Sequence, residues 1–170
     1  MPGCSLALLL LSAVLEGSPA PPFALNGSAA KSGGPRTPTL IVFLDLGEES
    51  GPTAGAQGPS RSQADTLISV LASFEGRLKG VVVDVSPTLR GRDVTIAGLA
   101  TRVRDWGLDE VPVVEDHAGP GLARSYGVTR APSVFLLDAE GIVRGRWDRF
   151  VGPSELGIRL AALRPDDPAD

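Results

Sequence analysis

The stretch VPVVEDHAGPGLARSYGVTRAPSVFLLDAEGIVRGRWDRFVGPSELGIRLAAL, residues 111 to 163, decides the fold. At its centre is Ser133-Val-Phe-Leu-Leu137, an apolar run of strand length. Asp138-Ala-Glu-Gly141 is turn chemistry and Ile142-Val143 is apolar again, so a β-hairpin is predicted. Val111-Pro-Val-Val114 predicts a shorter strand, and Pro112 restricts it to a sheet edge or a strand start. Residues 119–126 predict a short helix that buries Leu122 and Tyr126, with Gly127 placed to stop it. Ser154 is a good N-cap for a closing helix that runs to Leu163.

Toward the N-terminus, Thr39-Leu-Ile-Val-Phe-Leu-Asp45 and Val81-Val-Val-Asp-Val85 are two further apolar runs. They are unbroken rather than alternating, which predicts strands covered on both faces. Leu67, Ile68, Leu71 and Phe74 predict a helix over 61–76; Ile96, Leu99, Ala100 and Val103 predict another over 94–106. The order β-α-β-α-β-α-β-β-α is that of an α/β three-layer sandwich. Its mixed sheet would end in a C-terminal β-hairpin and a closing helix.

The 170 residues allow one domain. A chain 42% hydrophobic and 21% charged has the apolar content to fold. The net charge of −4, without a basic cluster, argues against a nucleic-acid partner. One Cys and one His exclude a disulfide framework and a Cys/His zinc site. The apolar run Leu6 to Leu15 is too short for a transmembrane span, which needs about 20 residues. Followed by Gly17-Ser18-Pro19-Ala20, it reads as an export signal over 1–20, cut after Ala20, although no Lys or Arg precedes it; the rival reading is a buried helix at the start of the domain. The protein is then exported: periplasmic, extracellular or in the secretory pathway. Residues 21–38 read as a flexible linker, 39–163 as the domain and 164–170 as a polar tail. Asn26-Gly27-Ser28 is an N-glycosylation triplet.

Several motifs resemble those of a thioredoxin-like domain, of the TlpA-type and peroxiredoxin-like (redoxin) kinds. Tyr126-Gly-Val-Thr-Arg-Ala-Pro132 resembles the segment that ends in that family's cis-proline. Ser133 to Gly141 resembles the strand and turn after it, and Val151-Gly-Pro-Ser-Glu155 the loop that opens the last helix. The helix over 94–106 fits the TlpA-type insertion. The resemblance implies a cis Ala131-Pro132 bond, with the backbone of Ala131 pairing an extended segment. It is weakest between 45 and 62, where the family keeps Cys-x-x-Cys. Gln57-Gly58-Pro59-Ser60 can be laid over that motif with Gln57 and Ser60 in the cysteine positions. A gapless register puts Glu48 and Gly51 there instead. Neither register contains a cysteine.

Disulfide exchange needs a thiolate to attack sulfur and a second thiol to resolve the mixed disulfide. Peroxidase chemistry begins with a Cys thiolate. The resemblance therefore implies a fold and a binding surface without the family's reaction, and predicts no catalytic residue, cofactor or metal ligand. The expected function is non-catalytic, chaperone-like or accessory binding of an extended peptide or a partner protein. Its groove would comprise Gln57, Gly58, Pro59, Ser60, Arg130, Ala131 and Pro132. The alternative is a thiol-disulfide oxidoreductase or peroxiredoxin-type antioxidant protein acting through a retained Cys4 or a partner's thiol. A third reading is a structural domain with one stoichiometric partner. Other groups have plain readings. Asp109, Glu110, Glu115, Asp116 and His117 read as a solvated loop, and Ser60 as a helix cap. Trp106 and Trp147 read as core or rim aromatics.

Overall fold

The computed structural model describes residues 14–25, 28–30, 37–47, 58–90, 96–116 and 121–163. Its strands are β1 (Phe23–Leu25), β2 (Ser28–Ala30), β3 (Thr39–Leu44), β4 (Lys79–Asp84), β5 (Val113–Glu115), β6 (Ser133–Leu137) and β7 (Val143–Trp147). The helices are α1 (Pro59–Ser73), α2 (Ser86–Arg90), α3 (Ile96–Asp105), α4 (Leu122–Tyr126) and α5 (Pro153–Ala161). Five strands form one sheet in the order β5-β4-β3-β6-β7. β3 pairs in parallel with β4, and β4 with β5, while β6 runs antiparallel to both β3 and β7.

The unbroken apolar runs have the physical basis expected of them. In β3, Leu40, Val42 and Leu44 face the side covered by α1, α3 and α5. Ile41 and Phe43 face the other side, where α4 supplies Ala123 and Tyr126. β6 divides in the same way, with Val134 and Leu136 on one side and Phe135 and Leu137 on the other. Burying a large apolar side chain stabilises by about 1.5–3 kcal/mol, so doubly covered strands dominate the core. On the second side Phe43, Tyr126 and Phe135 make three mutual ring contacts, with centroids 5.0–5.6 Å apart and tilted or edge-on. β5 is the edge strand next to β4, and Pro112 precedes it with its carbonyl accepting from Val82 N–H.

Four details differ from the sequence reading. Residues 23–25 and 28–30, read as linker, pair antiparallel; the Asn26-Gly27 pair between them is a strong hairpin signal. The last helix is capped by Gly152 with Pro153 in its first turn, rather than by Ser154. Proline's fixed φ and missing N–H suit that position. Ser60 lies inside α1, whose N-cap is Gly58. The short α2 carries too few residues to show a periodicity.

Two predictions follow from the packing. A Cβ at Gly145 would collide with the Trp147 indole, which is fixed by its Nε1–H bond to Glu155 Oε1 at 2.6 Å. Gly157 in α5 has open space around it. Gly145→Ala should therefore cost about 1–3 kcal/mol in urea unfolding, while Gly157→Ala gains about 0.5–1 kcal/mol. The β6–β7 turn supplies a pH dependence. Burial raises the Asp138 carboxyl, but bonds from Ile142 N–H, Arg144 and Glu140 N–H, with the Arg144 charge, outweigh it. The group is held below its ordinary range. A depressed carboxylate stabilises the fold above its unfolded pKa of about 3.9, and that stability is lost as pH falls through the lower folded value. Melting temperature should fall with pH below about 4, and less steeply in Asp138→Asn.

Candidate functional site

The site is built at the end of the sheet where β3 and β4 finish and β6 begins. Beyond β3 the chain has three consecutive N–H groups, and each is taken by a side chain. Asp45 N–H donates to Ser60 Oγ (3.2 Å), Leu46 N–H to Asp84 Oδ1 (3.1 Å) and Gly47 N–H to Ser86 Oγ (2.7 Å). Ser60 is 1% exposed. It lies one turn ahead of Gln63, which is fully buried and makes a reciprocal pair with one backbone unit. Gln63 Nε2 donates to Val151 O (3.2 Å), and Val151 N–H donates to Gln63 Oε1 (2.8 Å). The start of α1 is thus fastened to the end of β3 by Ser60, and to the β7–α5 loop by Gln63.

The third part of the site is the approach to β6. The Ala131–Pro132 peptide bond is cis, and Pro132 is buried. Ser133 is the partner of Phe43 in the β3–β6 ladder, so Pro132 lies at the same end of the sheet as Asp45 and Ser60. Ser133 Oγ lies 2.8 Å from Arg130 O, to which it donates, and 3.2 Å from Asp148 Oδ1. Arg146 binds Asp148 in turn, at 3.1 Å. Arg130 is exposed, and no side-chain partner holds it among the described residues.

The predicted groove residues therefore have distinct settings. Gly58 is half-buried at the helix N-cap, Pro59 is exposed and Ser60 is buried. Arg130 is exposed, Ala131 half-buried and Pro132 buried. Gln57 lies outside the described residues, as do Glu48, Gly51, His117 and Cys4. Sequence reasoning missed Gln63, whose helical spacing from Ser60 was the available signal. It also missed the buried pair Asp45 and Asp84, which is bridged by Ser86 Oγ at 3.0 Å and 2.5 Å. One hydroxyl carries one proton and cannot donate to both carboxylates at once. Asp84 Oδ2 is buried with no hydrogen-bond partner among the described residues. Asp116, read as part of a solvated loop, is 3% exposed and accepts from Thr88 Oγ1 at 2.8 Å. No group of three or more ligating side chains that could hold a metal ion occurs among the described residues.

No protein-family model matches the chain, and no curated protein does. Solved structures do. A thiol-disulfide oxidoreductase from Bacteroides fragilis superposes with a TM-score of 0.63 at 16% identity, over 86% of this chain and 100% of its own. A thioredoxin-like protein from Parabacteroides distasonis gives 0.64 at 18%, over 88% and 96%. StoA from Bacillus subtilis gives 0.60 at 16%, over 85% and 98%. The chain has the thioredoxin-like fold: a mixed five-stranded sheet between helices.

Ser60 gives the test of this geometry. Ser60→Ala removes the acceptor of a buried N–H and should cost about 1–3 kcal/mol in urea unfolding. In a Cys4→Ser background, the thiol of Ser60→Cys should be shielded. It should react with a disulfide reagent at least about 100-fold faster in urea than in the native protein.

Proposed function

We propose that this chain is an exported thioredoxin-fold protein that has lost dithiol redox chemistry and binds an extended peptide segment or a partner protein. The observation that carries this reading is Ser60. In the register that lays Gln57 to Ser60 over Cys-x-x-Cys, the second cysteine position holds a buried hydroxyl that accepts a backbone bond from Asp45. The sequence has a single Cys, Cys4, ahead of the apolar run. A lone thiol cannot attack a disulfide and then resolve the mixed disulfide within one chain.

The proposed binding surface comprises Gln57, Gly58, Pro59 and Ser60 together with Arg130, Ala131 and Pro132. Binding there is strand addition. The backbone beside Pro132 supplies the hydrogen bonds, and the flanking side chains select the sequence. Arg130, exposed and without a side-chain partner among the described residues, supplies the charge at the rim. This function uses no metal and no cofactor. Export is supported by the run Leu6 to Leu15; no described helix is long and apolar enough to cross a membrane.

A second reading is a thiol-disulfide oxidoreductase, as the Bacteroides fragilis neighbour is described, or a peroxiredoxin-type antioxidant protein. It requires Cys4 to be retained or a partner to lend its thiol.

The test is capture from a library of fluorescent peptides, read by anisotropy. Pro132→Gly and Arg130→Glu should each weaken the captured peptides at least about tenfold, or ~1.4 kcal/mol, and Cys4→Ser should leave them unchanged. Capture unaffected by both groove variants refutes the location. Reduction of insulin disulfides by the full chain, abolished by Cys4→Ser, would favour the redox reading.

A further inference from the structure

The segment read as the end of a cleavable signal is part of the folded domain. β7 is the last strand of the sheet, and an open edge strand invites pairing with other chains. Residues 17–20 pair with its beginning. Gly17 N–H donates to Val143 O (2.7 Å), Val143 N–H to Ser18 O (3.0 Å) and Ala20 N–H to Gly141 O (2.9 Å). Pro19 and Ile142 form the antiparallel bridge.

Side chains fasten both ends of this strap. Val14 and Ala20 are 7% and 6% exposed, in the cluster with Phe43, Tyr126, Phe135 and Val143. Arg146 Nη1–H donates to Val14 O (2.9 Å), and its guanidinium lies over the Phe135 ring. The Tyr126 hydroxyl, on a side chain with no exposed surface, donates to Pro21 O (2.9 Å). Glu16 pairs with Arg159 of α5 at 3.7 Å.

A cut after Ala20 would remove every one of these partners except Pro21. It would leave the Arg146 guanidinium without one acceptor and open the apolar cluster under β7. A protease acting on the folded chain would also need to extract Ala20, which is buried and hydrogen-bonded. We infer that residues 14–21 are a permanent part of the working protein, and that any processing accompanying export cuts on the N-terminal side of Val14. The inference stands independently of what the Pro132 groove binds, and it moves the boundary away from Ala20.

Hydrogen exchange on the full chain tests it. The amides of Gly17, Ala20 and Val143 should exchange at least about 100-fold more slowly than in an unstructured peptide. Ala20→Asp should abolish protection at Gly17 and Val143 while Ile41 and Val42 stay protected. Unstructured-rate exchange at Gly17 and Ala20 in the unaltered protein would overturn the inference. Intact mass of protein recovered from its host after export gives the second readout. A chain beginning at Val14 or earlier is expected; a chain beginning at Pro21 overturns the inference and leaves export itself standing.

Discussion

Three N–H groups in a row, at Asp45, Leu46 and Gly47, are the constraint around which this end of the molecule is arranged. They follow a buried central strand, so each must find a partner inside the protein or cost about 1–3 kcal/mol. Ladder partners are not available, because β3 ends at Leu44. The three acceptors come from three elements: Ser60 from α1, Asp84 from the end of β4 and Ser86 from the start of α2. Satisfying the strand end therefore docks α1 and fixes the turn out of β4 at the same time. Gly47 belongs to this arrangement because a Cβ there would press on Ser86 at 3.2 Å.

From that anchor the rest of the site can be traced. With Ser60 fixed, Gln63 lies one turn along α1 and reaches the backbone of Val151, which holds the loop between β7 and α5. Ser133 ties the opposite side through Arg130 O and Asp148. The backbone at the start of α1 and at the approach to Pro132, between which the binding groove is proposed, is thus held in place by buried side chains. Rigid support of this kind lowers the ordering cost of strand addition.

The double-sided burial of the sheet explains how much could be read in advance. Val42 and Phe43 point to opposite cores, so the sequence around them shows an unbroken apolar run, and that run is legible. So were the hairpin at Asp138 and the edge position next to Pro112. The strap at 14–21 was not. It buries only Val14 and Ala20 as side chains and docks otherwise through backbone atoms. Gly17 adopts a positive φ of 87° and Ala20 is buried, which suits small residues there, and small residues after an apolar run are also the mark of a cleavage site. Composition alone cannot separate those two causes. Ser60 failed as a cap for a related reason, because its acceptor role is set by a strand 15 residues away.

The same bonds account for the serine at position 60. Ser60 has a sufficient reason to be there without any chemistry: remove its oxygen and Asp45 N–H loses its acceptor. Gln63 and Ser133 are likewise explained by the bonds they make. Arg130 is not. It is exposed, its side chain has no partner among the described residues, and it precedes the cis bond. Residues that the fold requires report only on the fold, whatever they replaced. An exposed charge with no partner among the described residues, next to the Ala131–Pro132 bond, is where selection for a partner would act. The proposed binding reading is therefore carried by the buried hydroxyl at Ser60, and Arg130 with the backbone of Ala131 is where that proposal places the partner.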